Sequence, residues 1–137
     1  LQELANEAKA YLISQLGDSP SAERYRTILQ NPAFNIFYNA PALLIVYTKS
    51  EIPVAGGGSL PEYDGCLAAE NIMLTAHSFG LGTCWIGFAM PYLNSPEGKK
   101  KYNIPADYTA IAPLLLGYPV ADSPMIARKE ANVFFWK

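Results

Sequence analysis

The stretch that most constrains this fold is residues 64–88, DGCLAAENIMLTAHSFGLGTCWIGF. Drawn as a helix, its first part is apolar on nearly every side, which is typical of a helix inside a hydrophobic core. Gly80 fits the left-handed residue that closes such a helix. Residues 83–86 are β-branched, aromatic or small and predict a short strand that ends at Gly87. A glycine at that position marks either a simple turn or a place where a ligand approaches the backbone closely.

The rest of the chain alternates helical patterns with apolar runs. Apolar residues recur at helical spacing over residues 1–16. A second helix is predicted over residues 20–29, with Asp18 or Ser19 as its cap and Pro20 in its first turn. Two continuous apolar runs, residues 42–47 and 110–116, are typical of strands covered on both faces. Pro113 cannot donate to a ladder, so it requires a bulge or an unpaired edge position. Helices between widely separated strands predict an α+β or α/β domain around a covered sheet.

Three further segments carry local signals. Residues 51–63 contain three consecutive glycines and two prolines, which predict a mobile loop. The glycines at residues 56–58 lack the following Lys-Ser/Thr of a phosphate loop. Ser95 precedes a proline and predicts a helix start, with three lysines near the helix end where the dipole favours them. Residues 133–136 are compatible with a short terminal strand.

The composition fits one globular domain with a sizeable core, because half of the 137 residues are hydrophobic. A net charge of −2 argues against nucleic acid as a partner. No apolar run approaches the roughly 20 residues that span a bilayer. The first residues, Leu-Gln-Glu-Leu, lack the basic start and apolar core of a signal peptide. We therefore expect a soluble, cytoplasmic protein with no membrane partner.

Metal binding and side-chain catalysis are poorly supported. The two cysteines, Cys66 and Cys84, form no CxxC motif, and His77 is the single histidine, so no metal site is predicted. Cys66 and His77 lie in the predicted core helix, where a packing role is favoured over a chemical one. No GxSxG motif occurs, and no carboxylates pair as an acid and a base. Aromatic residues beside glycines at strand ends instead suit a planar aromatic cofactor that carries the chemistry.

Four short patterns occur in a family-specific order along the chain. They are NAP at residues 39–41, the stretch 64–87, LLLGYP at residues 114–119, and Arg128 before the C-terminus. Together they resemble the FMN-dependent nitroreductase superfamily over about residues 34–128. Residues 128–136 are most similar to members that carry an N-terminal ferredoxin-like iron–sulfur domain.

The resemblance implies an α+β sandwich, with a mostly antiparallel central sheet, helices on both faces, and an intertwined homodimer with FMN at its interface. The positions that match cofactor-binding residues of the family are Asn35, Cys84, Trp85, Ile86, Gly87 and Arg128. Backbone amides of residues 84–87 would approach N5 and O4 of the flavin ring, Asn35 its pyrimidine edge, and Arg128 its phosphate. No side chain would be catalytic, because hydride would pass from NAD(P)H to FMN N5 and then to a nitroaromatic, quinone or similar acceptor in ping-pong order.

Two family patterns are absent from residues 1–137. These are the Arg-x-Ser-x-Arg segment that holds phosphate and ribityl, and the Ser/Thr-x-x-Asn-x-Gln-Pro-Trp loop that contacts the flavin of the partner subunit. We therefore expect a nitroreductase-like domain that lacks its N-terminal segment and carries about half of the FMN pocket. A flavin oxidoreductase is the leading interpretation, and a dehalogenase or a flavin-destroying synthase is a variant of it. A non-catalytic flavin-binding or interaction module is the alternative.

Overall fold

The computed structural model describes residues 1–49, 60–121 and 126–135. Its elements are α1 (Gln2–Gln15), α2 (Pro20–Gln30), β1 (Ala42–Lys49), α3 (Leu60–Ser78), β2 (Gly82–Trp85), α4 (Met90–Leu93), α5 (Pro96–Lys101) and β3 (Tyr108–Gly117). The predicted order of helices and strands is confirmed, although α3 begins inside the predicted loop. Residues 133–135 form no strand. The glycines at 56–58 and Trp136 lie outside the described residues.

The three strands form one antiparallel sheet in the order β1-β3-β2. Strand β3 is central, and its side chains enter two cores on opposite faces, with Ala110 and Leu115 in one and Ala112 and Leu114 in the other. Ala110 and Ala112 are two residues apart but lie in different cores, because the register with β1 shifts between Val46 and Tyr47. Helix α3 covers the second face, while α1 and α4 pack together over the first. This arrangement is α+β, as predicted, and not the parallel sheet of an α/β domain.

Pro113 explains why β2 ends where it does. Its carbonyl accepts a hydrogen bond from the backbone N–H of Ile86 at 2.9 Å, one residue beyond the last paired residue of β2, Trp85. In an antiparallel ladder a residue's N–H and C=O point to the same neighbour, so an ordinary residue here would return a second bond to Ile86. Proline has no N–H to return. The ladder therefore stops, and the chain leaves the sheet at Gly87.

The larger core joins α1, α2, the segment before β1, α4 and β3. Its most completely buried large side chains include Phe37, Leu29, Ile36 and Leu93. Asn94 fixes α4 against the sheet, because its side-chain amide exchanges two hydrogen bonds with the backbone of Ala110, at 2.7 and 3.1 Å. The amide thus replaces a strand partner on the side of β3 where β2 has already ended.

The prediction that α3 is a core helix is wrong for the isolated chain. Only Gly65, Ala69 and Ala76 of this helix are buried. Leu67 and Leu74, on the side away from the sheet, are 64% and 60% exposed. Cys66 is also exposed and is not a core residue. Small residues let α3 lie close to the sheet, since a Cβ on Gly65 would come within 2.6 Å of Thr48 Cγ2.

Local capping signals are confirmed. The side chain of Ser19 accepts a hydrogen bond from the Ala22 N–H and begins α2, and Ser95 does the same for Gly98 at the start of α5. Gly80 has a φ of 73°, the left-handed conformation that ends α3.

A carboxylate on α1 ties that helix to α4 and α5. Glu7 accepts hydrogen bonds from the hydroxyls of Tyr92 and Tyr102, both at 3.1 Å, and pairs with Lys101. The bond to Lys101 holds the pKa of Glu7 below its usual value. Burial, together with the bond to Glu7, raises the pKa of Tyr102 to about 12.

Candidate functional site

The backbone between β2 and α4 is open to solvent at Gly87. Gly87 is exposed, and a Cβ built on it would meet no atom within 4 Å. Its N–H donates no hydrogen bond to another described residue, whereas its carbonyl accepts one from Met90. The N–H of Ile86 is bonded to Pro113, and its side chain is 4% exposed. Of these two neighbouring amides, only that of Gly87 is free to bind a ligand.

Strand β2 presents two further predicted site residues beside this amide. Trp85 is 40% exposed, and Cys84 is also exposed. Cys84 lines a cavity of about 510 Å³ with Asn39 and Gly117 among its walls. A volume of this size lies within the usual range for small-molecule sites.

A second cavity, of about 380 Å³, includes Gly87 in its lining. It is lined by Leu12 and Leu16 of α1, Tyr25 of α2, Gly87 and Phe88. None of these side chains is charged. The Phe88 ring makes edge-to-face contacts with Tyr25 and Phe34, with centroid distances of 6.2 and 6.1 Å, which is a favoured geometry for aromatic pairs.

The contact between Phe34 and Phe88 brings the segment before β1 next to this site. Asn35 lies in that segment, and its side chain is engaged there. Its amide oxygen accepts from the N–H of Phe37 at 2.8 Å, while its amide nitrogen donates to Gln2 at 3.1 Å and to Asn39 at 3.0 Å. The Asn35 amide therefore holds the turn with both of its N–H donors, while its oxygen keeps a second lone pair that can accept from a ligand.

Arg128 is not joined to the other predicted site residues. It is exposed in the irregular segment 126–135 and makes no hydrogen bond or ion pair within the described residues. Cys84 and Asn39 share one cavity, and Asn39 is bonded to Asn35. The structure thus brings the Asn35 segment and residues 84–87 together and leaves Arg128 apart.

In the described part of the chain, no group of three or more His, Cys, Asp or Glu residues lies close enough together to bind a metal ion. His77 is exposed on α3. Among the residues that the structure describes, no helix is long and apolar enough to cross a membrane.

A family model described as the nitroreductase family matches residues 1–118. The chain belongs to the nitroreductase family. A similar protein is one from Methanothermobacter thermautotrophicus named as an NADH dehydrogenase/NAD(P)H nitroreductase, which is 34% identical over 87 residues. That match covers 63% of this chain and 44% of the relative, so the chain spans less than half of the relative's length.

Solved structures of the same family share the fold. A nitroreductase from Desulfitobacterium hafniense DCB-2, crystallised with FMN, matches with a TM-score of 0.70 and 21% identity, over 100% of this chain and 72% of that one. A nitroreductase from Bacteroides fragilis NCTC 9343, also crystallised with FMN, matches with a TM-score of 0.68 and 23% identity, over 96% of this chain and 66% of that one.

The family pattern did not point to the cavity lined by Leu12, Leu16, Tyr25 and Phe88. Its walls come from α1, α2 and the residue after Gly87, which are far apart in the sequence. One signal was available, because Leu12 and Leu16 are spaced by four residues and continue the apolar face of α1 beyond its buried residues.

Proposed function

We propose that this chain is the FMN-binding domain of a cytoplasmic flavin-dependent oxidoreductase that works as a homodimer. The observation that carries the proposal is Gly87, an exposed glycine with a free N–H and open space beside it. A flat ring can approach such a backbone closely because no side chain intervenes. A fixed N–H aimed at the ring can then stabilise negative charge that builds on it during reduction.

The residues present fit FMN in part. Gly87 provides the donor, and Cys84 and Trp85 provide exposed walls on β2. The second lone pair of the Asn35 amide oxygen is available for an N–H of the pyrimidine edge, and Arg128 supplies a guanidinium for the phosphate. Bound FMN would supply the two-electron chemistry, with NAD(P)H as donor and a nitroaromatic, quinone or similar compound as acceptor in ping-pong order.

A second candidate function is a flavin-binding or interaction module without catalysis. It is favoured by Asn35, whose two amide N–H donors are already bonded to Gln2 and Asn39, and by Arg128, for which the structure shows no contact with the other predicted site residues. An incomplete site of this kind would bind FMN weakly or not at all.

An absorbance spectrum of the protein purified from the soluble cell fraction separates these candidates. We expect a flavin band in the visible region that bleaches when NADH or NADPH is added without oxygen, and that returns when a nitroaromatic or a quinone is added. A band that neither nucleotide bleaches supports the non-catalytic module. A colourless protein that also fails to take up added FMN would contradict the oxidoreductase and leave only an interaction module that does not bind flavin.

The exposed apolar face of α3 supports the homodimer. Leu67 and Leu74 are seven residues apart on one face of α3, Phe79 follows the helix, and each is at least 60% exposed. Exposed large apolar side chains that share a helix face are typical of protein–protein interfaces. A second copy of the chain would bury these side chains and complete the core that the sequence predicted around α3.

We expect the double variant Leu67→Glu/Leu74→Glu to weaken dimer formation about a hundredfold or more, because unpaired carboxylates would have to leave water. Analytical ultracentrifugation measures this change. The control Ile28→Glu places the same charge on α2 at a half-exposed position and should leave the dimer intact. Equal dimer affinity of the double variant and Ile28→Glu would exclude the α3 face from the interface.

A further inference from the structure

The cavity of about 380 Å³ between α1 and α2 opens beside the free N–H of Gly87. Its two aliphatic walls come from one helix, and its two aromatic walls, Tyr25 and Phe88, meet edge to face. The one polar side-chain atom of the lining is the Tyr25 hydroxyl. Such a cavity favours a flat apolar ring, which gains both burial and contact with aromatic edges.

Neither of the two arginines that flank Tyr25, Arg24 and Arg26, lines this cavity, and Arg26 is already engaged. Arg26 donates to the carbonyls of Gly17 at 3.1 Å and Leu16 at 3.5 Å, and it pairs with Glu23. It therefore fixes the turn that shapes the cavity and offers no free charge to a ligand there. An anion entering the cavity would lose its hydration without gaining a partner.

The lining also argues against the flavin itself as the occupant. The pyrimidine ring of a flavin carries several nitrogen and oxygen atoms that need hydrogen-bond partners when buried, and the phosphate of FMN needs cations. Leu12, Leu16 and Phe88 provide neither. A neutral aromatic compound with a single reducible group has no such requirement beyond the position next to Gly87.

We infer that the cavity between α1 and α2 is the acceptor subsite, that it selects neutral aromatic acceptors over anionic ones, and that Leu12 and Tyr25 set this selectivity. The inference rests on the proposed oxidoreductase function and adds the substrate class and the residues that determine it. The reducible group of the acceptor lies toward Gly87, and its ring lies between the leucines and Tyr25.

The test compares nitrobenzene with 4-nitrobenzoate as acceptors for the holoenzyme. Wild-type protein is expected to prefer nitrobenzene in kcat/KM. In Leu12→Lys a cation at the cavity wall should shift that preference toward 4-nitrobenzoate by about tenfold, because the ammonium pairs with the carboxylate. Ile13→Lys is the matched control, since Ile13 is the next residue of α1, is also half-buried and does not line the cavity.

Two further measurements complete the test. The affinity for FMN should be unchanged in Leu12→Lys, whereas a loss confined to FMN would assign the cavity to the flavin and overturn the inference. An equal shift in acceptor preference in Leu12→Lys and Ile13→Lys would also overturn it.

Ring binding to the flavin-free protein separates failure of this inference from failure of the proposed function. Saturation-transfer NMR with nitrobenzene needs no turnover. We expect wild type, Ile13→Lys and Tyr25→Phe to bind nitrobenzene equally well. Severalfold weaker binding by Leu12→Lys and Tyr25→Ala supports the subsite even if no flavin is bound. Equal nitrobenzene binding by all of these proteins, in an enzyme that does turn over, would refute the subsite and leave the oxidoreductase function standing.

Discussion

Gly98→Ala is expected to destabilise the fold by about 2–4 kcal/mol, the upper part of the range for overpacking a tight site. Intrinsic helix propensity predicts the opposite sign, because alanine is favoured over glycine in a helix by about 1 kcal/mol. Gly98 lies within α5, but a Cβ there would come within 2.1 Å of the Tyr92 carbonyl oxygen and 3.3 Å of Ser95 Oγ. The nearest of these atoms is backbone, so relief requires α4 and α5 to move apart.

Urea unfolding monitored by circular dichroism measures this loss. The matched control is Gly17→Ala, in the turn between α1 and α2, where an added Cβ would meet nothing within 4 Å. That variant should be neutral or slightly more stable than wild type, because alanine restricts the unfolded chain. If Gly98→Ala were as stable as Gly17→Ala, the close packing of α5 against the end of α4 would be disproved.

A shift of α4 would also affect the candidate site at Gly87. Tyr92 packs against Tyr11 with a ring distance of 5.7 Å and donates to Glu7. Asn94, two residues later, holds α4 to β3 through Ala110. The segment from Gly87 to Ala89 lies between this anchor and β2, so loosening α4 loosens the backbone that presents Gly87.

The sequence correctly predicts local features that depend on only a few neighbouring residues, such as helix caps and a left-handed glycine. Ser19 and Ser95 cap their helices, and Gly80 adopts its left-handed conformation, because each depends on its own local backbone. The prediction that Pro113 needs a bulge or an unpaired edge position is wrong, because Pro113 lies in the central strand in register with Ile45 and its missing N–H falls at the end of β2. That this position lies where β2 ends could not be predicted, since it depends on the register between strands far apart in the chain.

The burial of α3 could not be decided from its composition. An apolar helix surface looks the same whether the same chain or another one covers it, and here Leu67 and Leu74 remain exposed within the chain. The candidate site likewise has one part that the sequence indicates and one part that only the tertiary structure shows. Residues 84–87 were indicated by a local glycine and strand pattern, whereas the cavity walls Leu12 and Tyr25 meet Gly87 only through tertiary packing.

Gly87→Val is expected to leave the fold intact and to weaken FMN binding about a hundredfold or more, equivalent to roughly 2.7 kcal/mol. The fold tolerates the change because a Cβ on Gly87 meets no atom of the chain within 4 Å. That open space is what the proposal assigns to the flavin ring, so a branched side chain there would hold the ring away from the free N–H. Gly17→Val, at another glycine where an added Cβ meets nothing within 4 Å, should keep wild-type affinity.

Riboflavin, which has the same ring but no phosphate, distinguishes a ring contact from a phosphate contact. Gly87→Val should weaken riboflavin and FMN by the same factor, because both rings meet the same obstacle. Arg128→Ala should cost FMN about 1.5–3 kcal/mol, the range for a hydrogen bond to a charged group, and leave riboflavin unaffected, whereas its neighbour Lys129→Ala should change neither. Fluorescence titration gives all of these affinities. Unchanged FMN binding in Gly87→Val would remove this backbone from the flavin site, and equal effects of Arg128→Ala on the two flavins would mean that the guanidinium does not act on the phosphate.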